Sequence, residues 1–480
     1  MHRDFSLAPH YDIAIVGGGA TGLGAAVDAA SRGHSVVLIE QSDFAKGTSS
    51  RSTKLAHGGV RYLKQGNLSL VLEALQERER LYRNATRMVQ PLAFVIPSYN
   101  ALDQPFYGIG LKLYDLLAGK ANQHPSRLLS RQSVIERVPT VSPKHLRGGV
   151  LYYDGQFDDA QLALALVRTA QEKGATLHNY VHCDTLLKHE GRVIGVQVTD
   201  TESGRTLEVR ASCVINATGV FVDTLRQHDA PKAPPLLTIS QGAHLVLPRK
   251  FLPGDTALMI PKTSDGRVLF AIPWHGVTLL GTTDTPVPTA TLEPRARGEE
   301  IEFLLTHAAK HLAQAPSPTD VLSVFAGLRP LVTRGGGSRP TASLSRDHHI
   351  EVSESGLLTI TGGKWTTYRK MAEDVVNTAE RLGKLTPRLC RTQHLPLTDA
   401  RSGAEPGTPD DIRWHVQNTQ ARTVEDILAR RTRALFLDAR ASSTAAQTVA
   451  TLMANELGWS SAHTQCQVTS YCALAKEYCL

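Results

Sequence analysis

The first forty residues carry the pattern that most limits the fold. The run YDIAIV (residues 11–16) is a short apolar stretch, typical of a buried parallel strand, and it leads directly into GGGATG at residues 17–22. An apolar helical pattern follows as far as Gly33, and a second apolar run, SVVLIE, ends on Glu40. Such a strand, glycine turn, helix and second strand begin a βαβ nucleotide-binding unit. We therefore predict a Rossmann-like α/β fold.

The glycines of this turn predict where a dinucleotide binds. Gly17, Gly19 and Gly22 fit G-x-G-x-x-G, in which the missing side chains let the backbone approach a pyrophosphate at a helix N-terminus. The bare pattern is a weak signal, but a strand, a helix and Glu40 in register strengthen it. Glu40 suits a ribose diol and not a 2′-phosphate.

NAD and FAD share this fingerprint, so the choice between them depends on later segments. Short β-rich segments after residue 174 predict a β-meander that ends in the strand CVINATG, residues 213–219. A second glycine turn at Gly362 and Gly363 precedes another helical pattern. Its helix N-terminus can face the pyrimidine edge of a flavin, where negative charge accumulates on reduction. These features favour FAD.

The remaining patterns predict a discontinuous domain layout. Residues 238–285 alternate apolar and polar positions, as an antiparallel sheet does, and we interpret them as part of a substrate domain. A buried-strand pattern returns near residue 357 and closes the nucleotide-binding domain. The predicted limits are 8–85, 151–235 and 321–397 for the FAD-binding domain, 86–150 and 236–320 for the cap and substrate domain, and 398–480 for a short helical C-terminal region.

Composition excludes several classes of protein. With 480 residues, 41% of them hydrophobic, the chain can form a large core. The net charge of +7 favours anionic substrates or an acidic lipid surface, and without basic runs interleaved with aromatics we expect no nucleic-acid partner. Six scattered cysteines predict neither a metal site nor disulfides. No apolar run reaches the ~20 residues of a membrane span, so we expect a cytoplasmic protein with at most peripheral contact to the inner face of the cytoplasmic membrane.

Five ordered motifs closely resemble the FAD-dependent glycerol-3-phosphate dehydrogenase family of the aerobic, quinone-linked type. They are TSSRSTKLAHGGVRYL (48–63), QGAHLVLPR (241–249), IPWHGVTLLGTTDT (272–285), GLRPL (327–331) and TGGKWTTYR (361–369). The resemblance covers roughly residues 11–395 and is far more specific than the glycine fingerprint. It implies FAD as cofactor and a flavin domain joined to an antiparallel substrate-binding domain.

The resemblance also implies a set of site residues. Besides the fingerprint residues, those along FAD would be Ser49, Ser50, His57, Gly58, Ala217, Thr218, Gly219, Gly362, Gly363, Lys364 and Thr366. Those that hold the substrate phosphate would be Arg61, Arg329 and Arg346, with Tyr62 and Thr367 as second contributors. A phosphate dianion that leaves water needs several charge-assisted hydrogen bonds, each worth roughly 1.5–3 kcal/mol, and arginine supplies them as a fork.

The implied reaction is oxidation of sn-glycerol 3-phosphate to dihydroxyacetone phosphate by hydride transfer to the flavin, with electrons passed to a quinone. His244 is the preferred base for the C2 hydroxyl proton, since a neutral imidazole titrates near the working pH. Lys364 is the competing candidate for the base, or it stabilises the developing alkoxide or orients the substrate. Arg329 is counted with these two as a catalytic residue. A strand histidine satisfied by a backbone partner is the structural alternative for His244.

Two departures from the family pattern bear on partners. Val220 and Phe221 stand where members often carry Pro and Trp, and the segment after Pro396 is shorter than the usual helical domain. The second departure leaves homodimer formation, membrane docking and acceptor choice open. Arg430, Arg431 and Arg433 could contact a membrane, although we favour a solvated helix face.

Two further functions compete with the main hypothesis. One is a related flavin oxidase that uses oxygen, or that acts on amines or amino acids. The other is a non-catalytic flavin-binding protein. A predicted phosphate clamp argues against the second, because FAD binding alone does not need one.

Overall fold

The computed structural model describes residues 5–57, 68–119, 124–333 and 347–480. The strands are β1 (His10–Val16), β2 (Val36–Ile39), β3 (Leu55–Ala56), β4 (Val89–Ser98), β5 (Arg127–Ser130), β6 (Gly148–Phe157), β7 (Thr176–His178), β8 (Val181–His189), β9 (Arg192–Asp200), β10 (Thr206–Asn216), β11 (Leu237–Pro248), β12 (Thr256–Ile260), β13 (Leu269–Trp274), β14 (Val277–Gly281), β15 (Thr285–Val287), β16 (Ser323–Val332), β17 (His348–Val352) and β18 (Leu358–Gly362). The α-helices are α1 (Ala20–Arg32), α2 (Leu68–Asn84), α3 (Asp103–Ala118), α4 (Arg131–Arg137), α5 (Asp159–Glu172), α6 (Val222–Asp229), α7 (Gly298–His311), α8 (Tyr368–Leu382), α9 (Pro409–Asn418), α10 (Ala434–Leu437), α11 (Ala439–Leu457) and α12 (Ser461–Lys476).

The first sheet carries the nucleotide-binding unit predicted from the first forty residues. Among the described residues it has eight strands, in the order β17-β18-β10-β1-β2-β7, with β9 beside β10 and β8 beside β9. β1 runs parallel to β2 and to β10, so that Ile15 lies opposite Leu38 on one side and Ile215 on the other. Because such strands are covered on both faces, their sequences are continuous apolar runs.

Helices and an antiparallel meander complete this unit. On one face α1 packs against α5 and α8, and Leu23, Val27 and Val375 belong to one buried cluster. β9 pairs antiparallel with both β8 and β10. The Rossmann-like α/β fold with a β-meander is therefore confirmed.

The second sheet is largely antiparallel and supplies the other wall of the site. In the described ranges it has ten strands, in the order β15-β11-β14-β13-β12-β4-β6-β3, with β16 beside β11 and β5 beside β6. β11 and β16 pair from Leu237 opposite Val332 to Val246 opposite Ser323. This is the antiparallel sheet that the alternating pattern predicts.

Three strands extend the second sheet past the predicted domain limits. Residues 8–85, 151–235 and 321–397 are assigned to the FAD-binding domain by sequence, yet β3, β6 and β16 overlap these ranges and pair within the second sheet. β6 stays paired with β4 as far as Phe157 opposite Val89. A strand pattern does not show which of two sheets a strand joins, because its hydrogen-bond partners lie far away in the sequence.

The C-terminal region is helical, as predicted, and shares a core with the second sheet. Phe436, Val449 and Met453 are buried in the same cluster as Phe94 and Ile272. None of the helices in the residues that the structure describes is both long and apolar enough to cross a bilayer.

The arginine cluster of this region is buried, at Arg430, Arg431 and Arg433. Both interpretations of it, a solvated helix face and a membrane contact, are therefore wrong. Arg430 donates to Glu425 Oε1 and Asp426 Oδ1 at 2.7 Å each, and both Arg430 and Arg431 contact Asp43. Burial raises the pKa of Asp43, but the two guanidiniums outweigh burial and hold it below its ordinary value. A charge pattern cannot reveal a buried acidic partner more than 380 positions earlier.

Candidate active site

Two adjoining cavities lie where the carboxyl ends of β1 and β10 meet residues of the second sheet. Their volumes are about 360 and 350 Å³. Residues that line both are Gly19, Thr48, Ser49, Ala217 and Gly219. We call the cavity lined by Glu40 the nucleotide cavity and the one lined by His244 the substrate cavity. Ligands of open α/β sheets bind at the carboxyl ends of the strands, so this is where the predicted dinucleotide belongs.

The nucleotide cavity is built from the glycine fingerprint and the neighbouring strand ends. The predicted cofactor residues that line it are Gly17, Gly19, Glu40, Ser49, Ala217, Thr218 and Gly219. Glu40 Oε2 accepts the backbone N–H of Gly18 at 2.7 Å, and Oε1 accepts that of Ser42 at 2.9 Å. Burial raises the pKa of Glu40, and these two hydrogen bonds partly offset the rise. The carboxyl group is thus fixed at the end of β2.

Gly22 determines how close the start of α1 lies to the glycine turn. This residue lies outside the lining of both cavities, and a Cβ placed on it would be 1.9 Å from the carbonyl oxygen of Gly17. No side chain larger than a hydrogen fits there. The glycine therefore lets the first turn of α1, whose N–H groups have no helical partner, begin beside the cavity.

Hydrogen bonds join four predicted cofactor motifs. Ser49 Oγ accepts the backbone N–H of Ala20, in the first turn of α1, at 2.9 Å. Trp365 Nε1 donates to the Ser49 carbonyl oxygen at 2.9 Å. Thr361 Oγ1 donates to the Gly219 carbonyl oxygen at 3.3 Å. The glycine fingerprint, the serine loop, the ATG strand end and the GGK turn therefore form one hydrogen-bonded unit.

The substrate cavity gathers side chains from segments far apart in the sequence. The predicted residues that line it are His57, His244, Arg329, Gly362, Gly363, Lys364 and Thr366. It is also lined by four charged residues that the sequence did not single out, namely Arg51, Asp154, Arg267 and Asp284. Both acids have a cation nearby, since Arg78 contacts Asp154 and Arg329 Nη1 lies 3.6 Å from Asp284 Oδ1. Cations outnumber acids in the lining, which suits an anionic ligand.

Arg329 is held across the second sheet with its guanidinium at the substrate cavity. Nη1 donates to the Gln241 carbonyl oxygen at 3.2 Å. Nη2 donates to Thr282 Oγ1 and to the Thr283 carbonyl oxygen at 3.0 Å each. Because these bonds already fix the side chain, it loses little conformational freedom when it binds an anion.

His244 is buried at the wall of the substrate cavity. Its Nε2 lies 2.9 Å from Thr53 Oγ1, and its ring stacks on Phe325 with the ring centroids 4.7 Å apart. Burial lowers the pKa of His244 well below its usual value, and the cations of Lys54 and Arg329 lower it further. Its Nδ1 has no hydrogen-bond partner among the described residues. The imidazole is therefore neutral near pH 7, as a general base requires.

Lys54 joins the C-terminal region to the site. Its Nζ donates to Asp159 Oδ2 at 2.7 Å and to the Ser50 carbonyl oxygen at 2.8 Å. Arg433 Nη2 donates to the same Ser50 oxygen at 2.9 Å and to Asp159 Oδ1 at 3.1 Å. The Lys54 ammonium lies 5.2 Å from the ring centroid of Phe325, the ring that stacks on the imidazole. Burial lowers the pKa of Lys54 to about 7, although Asp159 acts in the opposite direction.

Besides Gly22, two of the predicted residues lie outside the lining of both cavities. The Ser50 hydroxyl is buried without a hydrogen-bond partner in the described part of the chain, and its carbonyl oxygen binds the two cations above. Thr367 donates its hydroxyl to the Lys364 carbonyl oxygen at 3.3 Å and so supports the glycine turn. Four further predictions, Gly58, Arg61, Tyr62 and Arg346, lie outside the described residues.

Sequence reasoning missed several residues that line the substrate cavity. Thr53 and Trp365 belong to recognised motifs, and membership of a motif was the only signal for them. The bond from Thr53 to His244 joins two segments about 190 residues apart, so spacing could not reveal it. Nothing in the sequence around Arg267 pointed to the site.

Comparisons with known proteins agree with this geometry. A family model described as FAD dependent oxidoreductase matches residues 12–369, and one described as the C-terminal domain of alpha-glycerophosphate oxidase matches residues 357–464. The mitochondrial glycerol-3-phosphate dehydrogenase of Mesocricetus auratus is 38% identical, over 95% of this chain and 72% of its own length. The protein of the same name from Schizosaccharomyces pombe is 35% identical, over 95% of this chain and 85% of its own length.

Solved structures show the same fold. The X-ray structure of the glycerol-3-phosphate dehydrogenase from Bacillus halodurans complexed with FAD is 28% identical, with a TM-score of 0.79, and the match covers 98% of this chain and 95% of that one. The L-alpha-glycerophosphate oxidase from Mycoplasma pneumoniae with FAD bound is 19% identical with a TM-score of 0.61, over 81% of this chain and 98% of that one, and shows likeness of fold alone.

Proposed function

The chain belongs to the FAD-dependent glycerol-3-phosphate dehydrogenase family, and from this premise we propose that it oxidises sn-glycerol 3-phosphate to dihydroxyacetone phosphate. FAD is its cofactor. One observation carries the proposal: His244, Arg329 and Lys364 line a single cavity that shares five lining residues with the nucleotide cavity. Bound FAD would accept the hydride from C2 of the substrate.

The described residues fit FAD. The turn around Gly17 and Gly22 leaves no room for a Cβ, as a backbone cradle for a pyrophosphate requires. The Glu40 carboxyl, fixed by two backbone N–H groups, would hold a ribose diol. Gly362 and Gly363 line the substrate cavity and would border the flavin end.

The phosphate of the substrate would be held by arginines. Arg329 is oriented by its three hydrogen bonds inside the protein and faces a cavity whose lining has an excess of cations. We propose Arg61 and Arg346 as further phosphate ligands and Tyr62 as a second contributor, on the strength of the family resemblance. Thr367 would contribute indirectly, by supporting the glycine turn.

His244 would remove the proton of the C2 hydroxyl. Its pKa is lowered by burial and by two nearby cations, so the imidazole is neutral and ready to accept a proton. The Thr53 hydroxyl, 2.9 Å from Nε2, orients the ring. Lys364 lines the same cavity and would stabilise the alkoxide that forms as the proton leaves; it remains the alternative base.

The proposal also covers the electron acceptor and the location of the protein in the cell. Quinone coupling is typical of the family, and we propose a membrane quinone as acceptor. A quinone is dissolved in lipid, so the protein would need contact with a membrane. We propose that this contact is peripheral, between a protein in the cytoplasm and the inner face of the cytoplasmic membrane. A homodimer is compatible with this proposal and is tested by size-exclusion chromatography with light scattering.

The function is tested with purified, FAD-loaded protein and a soluble redox dye as acceptor. We expect dye reduction with sn-glycerol 3-phosphate and none with glycerol, because glycerol lacks the phosphate that the arginines bind. Turnover of glycine or another amine, or stoichiometric peroxide with oxygen as sole acceptor, would favour the oxidase instead. Absence of turnover with every substrate, with FAD still bound, would favour a non-catalytic flavin-binding protein.

A further inference from the structure

Neither nitrogen of the His244 imidazole is freely presented to the substrate cavity. The residue is only 2% exposed, and its Nδ1 is buried with no hydrogen-bond partner in the part of the chain that the structure describes. Its Nε2 lies 2.9 Å from Thr53 Oγ1. Burial thus closes off one nitrogen, and the threonine hydroxyl occupies the other.

Thr53 is placed where a ligand can contact its hydroxyl. The residue is half-buried and lines the substrate cavity. A hydroxyl group has one proton to donate and two lone pairs to accept with. When the Thr53 hydroxyl donates to His244 Nε2, it can therefore accept a hydrogen bond from a ligand at the same time.

The residues on both sides of Thr53 are fixed to one buried carboxylate. Asp159 Oδ2 accepts the backbone N–H and the hydroxyl of Ser52 at 2.9 and 2.7 Å, and it accepts Lys54 Nζ at 2.7 Å. The backbone of Lys54 has a φ of 64°, in the left-handed region that residues other than glycine rarely adopt. Such conformations cluster at functional sites. The loop therefore holds Thr53 in one position against the second sheet.

Two glycines of the second sheet make room for this arrangement. Gly242 in β11 lies opposite Gly327 in β16. A Cβ on Gly327 would be 2.7 Å from the Arg51 carbonyl oxygen, and a Cβ on Gly242 would be 2.1 Å from Arg329 Nη2. The guanidinium thus lies beside Gly242, two positions before His244. Two residues of a strand span roughly 7 Å, which a three-carbon phosphate with a hydrogen bond at each end can bridge.

We propose that Thr53 is a catalytic residue that relays the proton of the substrate's C2 hydroxyl to His244. The inference rests on the proposed function, which supplies the hydroxyl and a flavin to take the hydride. In one concerted step the substrate O–H bond breaks and an O–H bond forms at Thr53 Oγ1. The original Thr53 proton moves to His244 Nε2 as the hydride of C2 passes to the flavin. The threonine regains its hydroxyl, and the imidazole becomes an imidazolium.

The relay requires a neutral imidazole with its lone pair on Nε2 and its proton on Nδ1. Nδ1 lacks a partner among the described residues in either tautomer, so this tautomer forms as many hydrogen bonds as the other. Burial and the cations of Lys54 and Arg329 lower the pKa of His244, which keeps the lone pair available. The Thr53 hydroxyl never has to ionise, because it gains one proton as it loses another.

The test is anaerobic mixing of the FAD-loaded protein with saturating sn-glycerol 3-phosphate, with the rate of flavin bleaching measured. Thr53→Val removes the hydroxyl with little change of shape, and it should slow bleaching by about a hundredfold or more, because the proton no longer reaches its base. Thr53→Ser keeps a hydroxyl and should bleach within about fivefold of the unmodified rate. Thr386→Val, at an exposed threonine, is the matched control and should change nothing.

Two further variants distinguish a relay from a hydroxyl that only orients the ring. Thr53→Asn offers an amide N–H that can donate to Nε2 but cannot pass its proton on, so it should be as slow as Thr53→Val. Thr53→Val combined with His244→Ala should be no slower than the slower single variant, because both interrupt one proton path. FAD content and melting temperature should be unchanged throughout.

Three results would overturn the relay. They are a loss of less than tenfold in Thr53→Val, a Thr53→Asn rate more than tenfold above that of Thr53→Val, and losses that multiply in the double variant. Bleaching at similar rates in the unmodified protein and in Thr53→Val would leave the proposed function standing without the relay. A flavin that stays oxidised in the unmodified protein would contradict the proposed function and the relay together.

Discussion

The nucleotide cavity is bordered by a glycine turn and a strand end close to it in the fold, whereas the substrate cavity brings together ionisable side chains from distant strands. The first includes parts of two short stretches, residues 17–22 and 217–219, together with Glu40 at the end of β2. The second depends on His244 in β11, Arg329 in β16 and Lys364 after β18, which only the pairing of distant strands brings together. Substitutions at the nucleotide cavity should therefore affect FAD binding, and substitutions at the substrate cavity should affect turnover while FAD stays bound.

The largest effect is expected on FAD binding, from Gly22→Ala beside the nucleotide cavity. The new Cβ would lie 1.9 Å from the Gly17 carbonyl oxygen, so α1 must shift away from the turn. Such overpacking costs roughly 1–3 kcal/mol or more, and the purified variant should retain less than about a tenth of the normal FAD. The flavin-to-protein absorbance ratio measures this. Gly298→Ala is the control, since a Cβ on Gly298 would meet nothing within 4 Å and this residue lines neither cavity. Full FAD content in the Gly22 variant would contradict the role of the glycine turn as a backbone cradle for FAD.

His244→Ala should remove catalysis and leave FAD in place. A general base contributes about a hundredfold to ten-thousandfold in rate, so kcat should fall within that range while KM changes little. Steady-state dye reduction gives both constants. His189→Ala is a suitable control, because the His189 side chain is 74% exposed. An unchanged kcat would transfer the role of base to Lys364 or to water.

Arg329→Ala should weaken substrate binding by about tenfold to a hundredfold in KM. The variant leaves the phosphate short of one charge-assisted hydrogen bond, worth roughly 1.5–3 kcal/mol. FAD content should stay normal, and Arg249→Ala, which alters an ion pair with the exposed Asp255, should change nothing. If KM is unaltered, Arg329 does not bind the phosphate.

The smallest effect is a change in pH dependence caused by Lys54→Met. His244 accepts a proton only when neutral, so activity is lost as the pH falls through its pKa. The Lys54 cation lowers that pKa; its removal raises the pKa, and the loss should begin at a higher pH. The kcat/KM of the variant should match that of the unmodified protein near pH 8 and begin to fall at a higher pH on acidification, whereas Lys54→Arg should keep the original profile. Identical pH profiles for Lys54→Met and the unmodified protein would show that the cation does not act on the histidine.

The same contrast explains what the sequence could predict. The fingerprint and Glu40 were found because a nucleotide-binding turn is encoded within about thirty residues, and His244, Arg329 and Lys364 were found through motifs. Thr53 and Lys54 were not singled out, since their roles depend on His244 and on Asp159, each more than a hundred positions away. The C-terminal arginines were misassigned for the same reason, because Arg430 and Arg431 pair with Asp43 and Arg433 pairs with Asp159, both far away in the sequence.

The central claim is that the two cavities form one site in which sn-glycerol 3-phosphate reduces FAD. Its most direct test is anaerobic mixing of the FAD-loaded protein with sn-glycerol 3-phosphate while the visible absorbance band of the oxidised flavin is followed. We predict rapid bleaching in the unmodified protein and much slower bleaching in His244→Ala at saturating substrate. A flavin that stays oxidised in the unmodified protein, with FAD bound, would contradict the claim.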